Sequence, residues 1–436
     1  MARRLTVFEC TACEFQSPKW LGRCPECGAW STLEESSPDR TKPAPPGSSR
    51  PIPFPEIPET GVARLSTGLP ELDRVLGSGL VPGAAILLGG EPGIGKSTIL
   101  LQAASILASR DNSVLYVTGE ESATQLRLRG DRLKVTEKTL LVLEETDVDR
   151  ITATAKETSP TLLIVDSIQA VSCSDVASVP GSVAQVRESA QRLVRLAKST
   201  NMPVVLVGHV TKEGGLAGPR ALEHVVDTVV QFEGDRHHAH RILRTLKNRF
   251  GPSDEIGVFK MTSTGLQEVP NPSEVFLAER PENVPGSSVH AAIEGTRPIL
   301  VEIQALVGEP MQGNPRRTAL GIDSQRLALI LAVLQRRAGL TLSDRDVFVN
   351  VAGGLTLTEP ASDLAVAAAV ASSFHRKPIP QDWALIGELG LAGELRSVSR
   401  LDARIKEAER LGFKRVLIPE RAQHLTDALD RLFKGA

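Results

Sequence analysis

The stretch Gly90-Glu91-Pro92-Gly93-Ile94-Gly95-Lys96-Ser97-Thr98 decides how the middle of this chain folds. It fits G-x-x-x-x-G-K-[ST] in full and follows the apolar run AILLGG, Ala85 to Gly90. A buried strand, a glycine turn and a helix start are the context in which this pattern holds phosphate. The glycines let backbone N–H groups wrap the oxygens, and the helix N-terminus adds its dipole. Lys96 is expected to neutralise β- and γ-phosphates, and Ser97 to ligate Mg²⁺. ATP and Mg²⁺ are therefore the expected ligands of residues 90–98.

Outward from this stretch, short apolar runs alternate with helical patterns from about residue 61 to 269. SVLYVTGE, TLLIVDS and MPVVLVGH read as further buried strands, and KSTILLQAASILASR as a helix. The alternation predicts an α/β fold, a parallel sheet with helices on both faces. VVDTVVQF, HRILRTLK and EIGVFKMT follow closely, as antiparallel strands added at one edge do. Asp166 ends the run LLIVD and is placed for a second Mg²⁺ contact through water. Glu120 and Glu121 end the neighbouring strand; a carboxylate there polarises an attacking water. Glu120 is taken as the base, and one of the two glutamates as a first-turn helix acid.

Composition limits the rest. A length of 436 residues suits two or three domains. The formal net charge of −2 gives no global attraction to nucleic acid, so any such surface must be a local patch. Aromatic residues are only 3%, which argues against base stacking as the main contact. No run is long and apolar enough to span a membrane and no signal segment follows Met1, so a cytoplasmic protein is expected. Cysteines in that compartment serve metals more often than disulfides. Cys10 and Cys13, then Cys24 and Cys27, form two CxxC pairs suited to a closed tetrahedral Zn²⁺ site without chemistry of its own. The domains read as a zinc knuckle at 1–30, a Pro-rich linker at 31–60, an ATPase domain at 61–270 and a further α/β domain at 275–436.

With these residues in view, the core resembles the RecA-type ATPases, through GEPGIGKST, TGEE and LLIVD. Adding the four-Cys knuckle, Lys247-Asn248-Arg249-Phe250-Gly251 and the C-terminal unit, nearly the whole chain is similar to the bacterial RadA (Sms) family. The resemblance implies a ring, a hexamer in that family, and an ATP-driven helicase-like motor. That motor would act on single-stranded and branched DNA, promote branch migration in recombination and repair, and work beside a RecA-type recombinase. It also implies that His209 senses the γ-phosphate and that residues 171–182 and 211–224 face a central channel. Both loops read as flexible in composition. Lys212 and Arg220 are the cations of the second. Arg187, Gln191, Arg195 and Lys198 form a basic helical stripe beside the first, opposite the apolar Val186, Ala190, Leu193 and Ala197. In the Lys247–Gly251 motif, cations at the end of an edge strand are expected to reach a neighbouring subunit's nucleotide. Lys247 and Arg249 take the arginine-finger role there, Asn248 orients them and Gly251 turns the chain; a direct DNA contact is the alternative.

The C-terminal segment resembles the proteolytic domain of Lon proteases, whose serine is activated by a lysine. Here Ala361 stands at the nucleophile position and Asp402 at the lysine position, with Ser362 next to the former. Peptidase activity is therefore not expected. The fold reads as a scaffold for assembly and DNA contact, with Arg316 and Arg317 as candidate phosphate contacts.

Overall fold

The computed structural model describes residues 7–10, 16–17, 19–25, 27–30, 32–36, 53–56, 63–209, 222–234, 240–310 and 315–434. The chain forms two compact units, Met1–Gly61 and Val62–Ala436. In the first, strands β1 (Val7–Cys10), β2 (Gln16–Ser17) and β3 (Leu33–Ser36) pair antiparallel in the order β2-β1-β3. The linker expected at 31–60 begins later than expected, since β3 takes up Leu33–Ser36; further along it, Phe54–Glu56 form a short 3-10 turn.

In the second unit, helix α1 (Pro70–Val75) precedes a nine-stranded sheet. Its strands are β4 (Ala85–Gly90), β5 (Val114–Thr118), β6 (Leu140–Glu144), β7 (Leu162–Asp166), β8 (Val204–His209), β9 (Thr228–Glu233), β10 (His240–Asn248), β11 (Ile256–Thr262) and β12 (Gly265–Glu268). The order is β12-β11-β10-β9-β4-β8-β7-β5-β6. Strands β4 to β9 pair in parallel, and β9 to β12 pair antiparallel. Helices α2 (Lys96–Ala108), α3 (Ala123–Leu133), α4 (Val148–Thr158) and α5 (Val183–Thr200) connect the parallel strands. The central strands are apolar throughout because both faces are covered. Ile86, Leu88, Val114 and Tyr116 join one core, while Ala85, Leu87, Leu115 and Val117 join the other.

Two expectations need correction. Strand β6 was not among the strands read from the sequence; its run LLVLE lies at the sheet's end, where Leu141 and Val142 are exposed. Strand β10, which carries the Lys247–Gly251 motif, is not an edge strand. It pairs with β9 on one side and β11 on the other, and β12 is the outermost.

Helix α6 (Pro272–Leu277) leads into a six-stranded sheet. It contains β13 (Ser287–Glu294), β14 (Arg297–Gly308), β15 (Arg317–Leu320), β16 (Asp346–Val351), β17 (Trp383–Leu385) and β20 (Arg415–Leu417), ordered β15-β16-β14-β13-β17-β20. The small pair β18 (Glu388–Leu389) and β19 (Leu395–Arg396) stands apart. Helices α7 (Ser324–Arg337), α8 (Asp363–His375), α9 (Leu401–Arg410) and α10 (Leu425–Lys434) accompany it. Packing runs across the boundary expected at 270–275. Ile242, Ile256 and Val258 of the first sheet share one core with Ile299, Val301 and Val349 of the second. Buried Glu71 on α1 accepts two hydrogen bonds from Arg297 at 2.9 and 3.0 Å, and a third from Val258 N at 3.1 Å. Arg244 of β10 likewise pairs with Glu294 of β13 at 2.6 Å. No helix among the described residues is long and apolar enough to cross a membrane.

Candidate nucleotide site

The parallel strands end level with one another. Register sets Gly90 beside His209 and Thr118 beside Asp166. The chain then turns through Gly93 and Gly95, both at positive φ, into α2. Gly95 has φ of 122°, and a Cβ there would sit 3.1 Å from Leu266 and Met261, so only glycine fits both backbone and space. A cavity of about 400 Å³ opens at these strand ends, lined by Lys96, Ser97, Glu120, Asp166 and His209 among others.

Within it Lys96 is buried, and its ammonium donates to Gly90 O at 2.8 Å and Glu91 O at 3.0 Å. Its third contact is His209 Nδ1 at 3.2 Å. An ammonium only donates, so Nδ1 is the acceptor and the imidazole proton lies on Nε2. That Nε2 is buried without an aligned hydrogen-bond partner, 3.3 Å from Glu120 Oε1. Burial pulls the Lys96 pKa down to about 8, opposed by Asp166 and Glu120. Glu120 is held down to about 2, first by His209, then by the Ser167 hydroxyl that donates to it and by Lys96. It is thus a carboxylate at neutral pH, half-exposed to the cavity. Glu121 also lines the cavity but pairs with Arg129 of α3 at 2.6 Å. Tyr116 donates to Asp166 Oδ2 at 2.6 Å, and burial pushes its phenol well above the ordinary range.

The donor set fits Mg-ATP. One hydroxyl and two carboxylates supply hard oxygen ligands, as Mg²⁺ demands. One ammonium, a helix N-terminus and the His209 imidazole, whose Nε2 lies 3.3 Å from Glu120, face the same space. Sequence reading missed Tyr116, Arg129, Arg132 and Met261, which line the cavity from β5, α3 and β11. Nothing in local pattern marks them, since two strands and a helix must assemble before they meet.

Residues 50–215 match the family model described as an AAA domain. Residues 8–35 match a rubredoxin metal binding domain, and 317–422 match subunit ChlI of Mg-chelatase. DNA repair protein RadA of Bacillus subtilis is 51% identical over 430 residues, covering 96% of this chain and 93% of that protein. The RadA of Listeria monocytogenes is 51% identical, covering 96% and 93%. The chain belongs to the RadA family. It carries an ATPase domain of the AAA type. Among solved structures, the RadB recombinase covers 47% of this chain at 22% identity with a TM-score of 0.38.

The metal-binding segment of this RadA family member is described in part. Cys24 is buried in a tight turn, in which Gly28 N donates to Cys24 O at 2.9 Å. Gly28 takes φ of 71°, the left-handed conformation that such a knuckle needs. Cys27 lies in the same turn and is exposed. Two cysteines three residues apart on one such turn fit a metal knuckle. Cys13 and the side chain of Cys10 lie outside the described residues.

The Lys247–Gly251 motif sits at the far end of the sheet from the phosphate loop. Thr228 pairs with both Ile86, at the start of β4, and Asn248. At about 3.3 Å per residue, the length of β4 separates the motif from Gly90 by roughly 15 Å. Lys247 does not point outward. Its ammonium donates to Glu223 O at 2.5 Å and Val226 O at 2.8 Å of its own chain. Arg249 is half-exposed and pairs at 3.1 Å with Asp227, a buried carboxylate that also accepts from Ala85 N at 3.1 Å. Asn248 accepts from Phe250 N at 3.0 Å and Thr228 Oγ1 at 3.3 Å, so it shapes the turn. Phe250 is partly exposed, and Gly251 permits close approach: a Cβ there would lie 3.2 Å from Gly77 Cα.

Lys212 and Arg220 lie outside the described residues. The loop at 171–182 is not the loose segment its composition suggested. Buried Gln185 staples it, accepting from Cys173 N at 2.9 Å and donating to the carbonyls of Cys173, Val176 and Ser178. Cys173 itself is buried. On α5, Arg187 is exposed, and Arg195 is exposed while pairing with Glu188 at 3.3 Å. Lys198, on the same stripe, lies 3.8 Å from Asp227. Val186, Ala190, Leu193 and Ala197 are fully buried opposite them. Arg316 and Arg317 are exposed at the start of the edge strand β15, and Arg317 donates to Leu342 O at 3.3 Å.

In the C-terminal half, Ala361 is buried and Asp402 is exposed in the first turn of α9. Ser362 is buried with its hydroxyl donating to Glu359 O at 3.1 Å. A fully buried Arg404 grips Glu359 close by, with Nη1 at 2.7 Å from Oε1 and Nη2 on Oε2. His290 Nε2 is 3.6 Å from the same carboxylate. Burial works to raise the Glu359 pKa, but Arg404 and His290 hold it down to about 2. Arg404→Met is expected to cost about 3–5 kcal/mol, because the carboxylate stays buried without its partner. A denaturant midpoint measures it. The folded pKa lies below the ordinary 4.5. The stabilisation is therefore complete above that value and fades as pH falls toward about 2. The penalty of Arg404→Met should shrink over that acid window.

Proposed function

We propose that the chain is a ring-forming, ATP-driven DNA motor, helicase-like, that promotes branch migration of recombination intermediates in repair. Membership of a family of DNA repair proteins and an ATPase core support the coarse reading. One observation supports the motor reading most: the phosphate loop and the Lys247–Gly251 motif stand at opposite ends of β4. A motif so far from its own nucleotide suits a neighbour's nucleotide in a head-to-tail ring, a hexamer for this fold type.

In hydrolysis, Lys96 and the amides of residues 90–98 would bind the phosphates, with Ser97 and Asp166 holding Mg²⁺. The metal neutralises developing charge on the phosphates. Glu120, ionised and beside the phosphate loop, would take the proton of the attacking water. His209, bridging Lys96 and Glu120, would register whether phosphate is present and pass that state along β8. The residue that follows His209 opens the segment carrying Lys212 and Arg220, the DNA-facing loop of this reading. Arg187, Arg195, Arg316 and Arg317 would add phosphate contacts on single-stranded or branched DNA beside a RecA-type recombinase in the cytoplasm. If so, affinity for DNA falls steeply with salt.

Strand displacement on forked DNA tests the motor. Wild type should separate strands with ATP, and Lys96→Ala should not. ATP hydrolysis stimulated by DNA but without strand movement on any branched substrate would favour a switch that does not translocate.

We also assign Zn²⁺ to Cys10, Cys13, Cys24 and Cys27. Zinc binding at about 10–16 kcal/mol would supply the folding energy of a unit with little apolar core. Changing all four cysteines to Ser should reduce bound zinc, measured by emission spectroscopy, from one per chain to near zero. Retained zinc would place the metal elsewhere.

A further inference from the structure

Tyr116 is the single tyrosine of the chain. Its ring lies in the core under the nucleotide cavity, packed in the cluster that includes Leu126 and Ile164. Its hydroxyl crosses from β5 to β7 and donates to Asp166 Oδ2 at 2.6 Å. The register explains the reach. Tyr116 pairs with Ile164 and Thr118 with Asp166, so the phenol spans diagonally to the next residue pair on the same face. A carboxylate at a strand end is free to turn about its own bonds. One oxygen tied to a group rooted in the core leaves the other for the cation.

We propose that Tyr116 is the positioning residue of the metal carboxylate: by occupying Oδ2 it reserves Oδ1 of Asp166 for Mg²⁺. The proposal rests on the nucleotide-site reading above. Phenylalanine keeps the ring and its packing and removes only the donor, so Tyr116→Phe isolates the role.

The test uses the full chain and a fluorescent, non-hydrolysable ATP analogue, titrated with Mg²⁺ and again with a chelator. In Tyr116→Phe the metal-free affinity should stay within about twofold of wild type, while the Mg²⁺-dependent affinity falls about tenfold, the scale of a hydrogen bond to a charged group. The Mg²⁺ concentration for half-maximal ATP turnover should rise by a similar factor, with turnover restored at high Mg²⁺. Placed on an Asp166→Asn background, the same substitution should add no further Mg²⁺-specific loss. Equal weakening with and without metal would overturn the proposal, because a merely structural hydroxyl affects both. Unchanged binding in both titrations would overturn it too. A wild type whose affinity ignores Mg²⁺ would sink the nucleotide-site reading itself, and this inference with it.

Discussion

Glu120→Gln is expected to bind ATP with wild-type affinity and to hydrolyse it about 10²–10⁴ times more slowly, the usual contribution of a positioned general base. The amide keeps the size of the side chain and still accepts from Ser167 and faces His209, so the cavity should hold its shape. It loses the negative charge that would draw a proton from water. Glu121→Gln is the matched control. Its carboxylate is spent on Arg129 at 2.6 Å, and its loss should loosen α3 with a far smaller effect on turnover. Single-turnover hydrolysis beside equilibrium nucleotide binding separates the two. If Glu121→Gln is the dead variant, the two glutamates exchange roles.

The second large effect concerns Arg249. Arg249→Ala should lower turnover by about 10³–10⁵, as removal of an arginine finger does. Lys96→Ala should be inactive for want of a phosphate ligand. Mixed in equal amounts and allowed to assemble, the two should regain turnover. An intact phosphate loop on one subunit then meets an intact Arg249 on its neighbour at roughly a quarter of head-to-tail interfaces. Absence of rescue in proven mixed rings would assign Arg249 to DNA or to its own chain. Lys247→Ala should behave differently. It frees the carbonyls of Glu223 and Val226 and should lower the denaturant midpoint without following the mixing rule.

The parts of this molecule legible in one dimension are those that local physics dictates. The phosphate loop announces itself because glycine, lysine and serine must stand at fixed spacing. The central strands do so because a strand covered on both faces has no polar position. Strand β6 escaped that logic: LLVLE was not read as a strand, and it closes the sheet with Leu141 and Val142 exposed. Composition also misled for residues 171–182, since a single glutamine from the next helix ties down a segment with four serines, a proline and a glycine. The inward turn of Lys247 was invisible for a related reason. Its acceptors are backbone carbonyls about twenty residues away, and every residue type has those.

The core shared by Ile242, Ile256 and Val258 with the C-terminal sheet bears on how this family keeps its parts. A Lon-like fold with Ala361 at the nucleophile position is expected to offer no bond-breaking chemistry for selection to preserve. It is nevertheless the wall against which the end of the nine-stranded sheet is sealed. Each of those side chains, set in water, would cost about 1.5–3 kcal/mol. Arg297 would also leave Glu71 buried and unanswered. The two halves therefore form one heritable block. A chain cut near residue 270 would report a damaged ATPase, and its phenotype would say little about what the missing half does by itself.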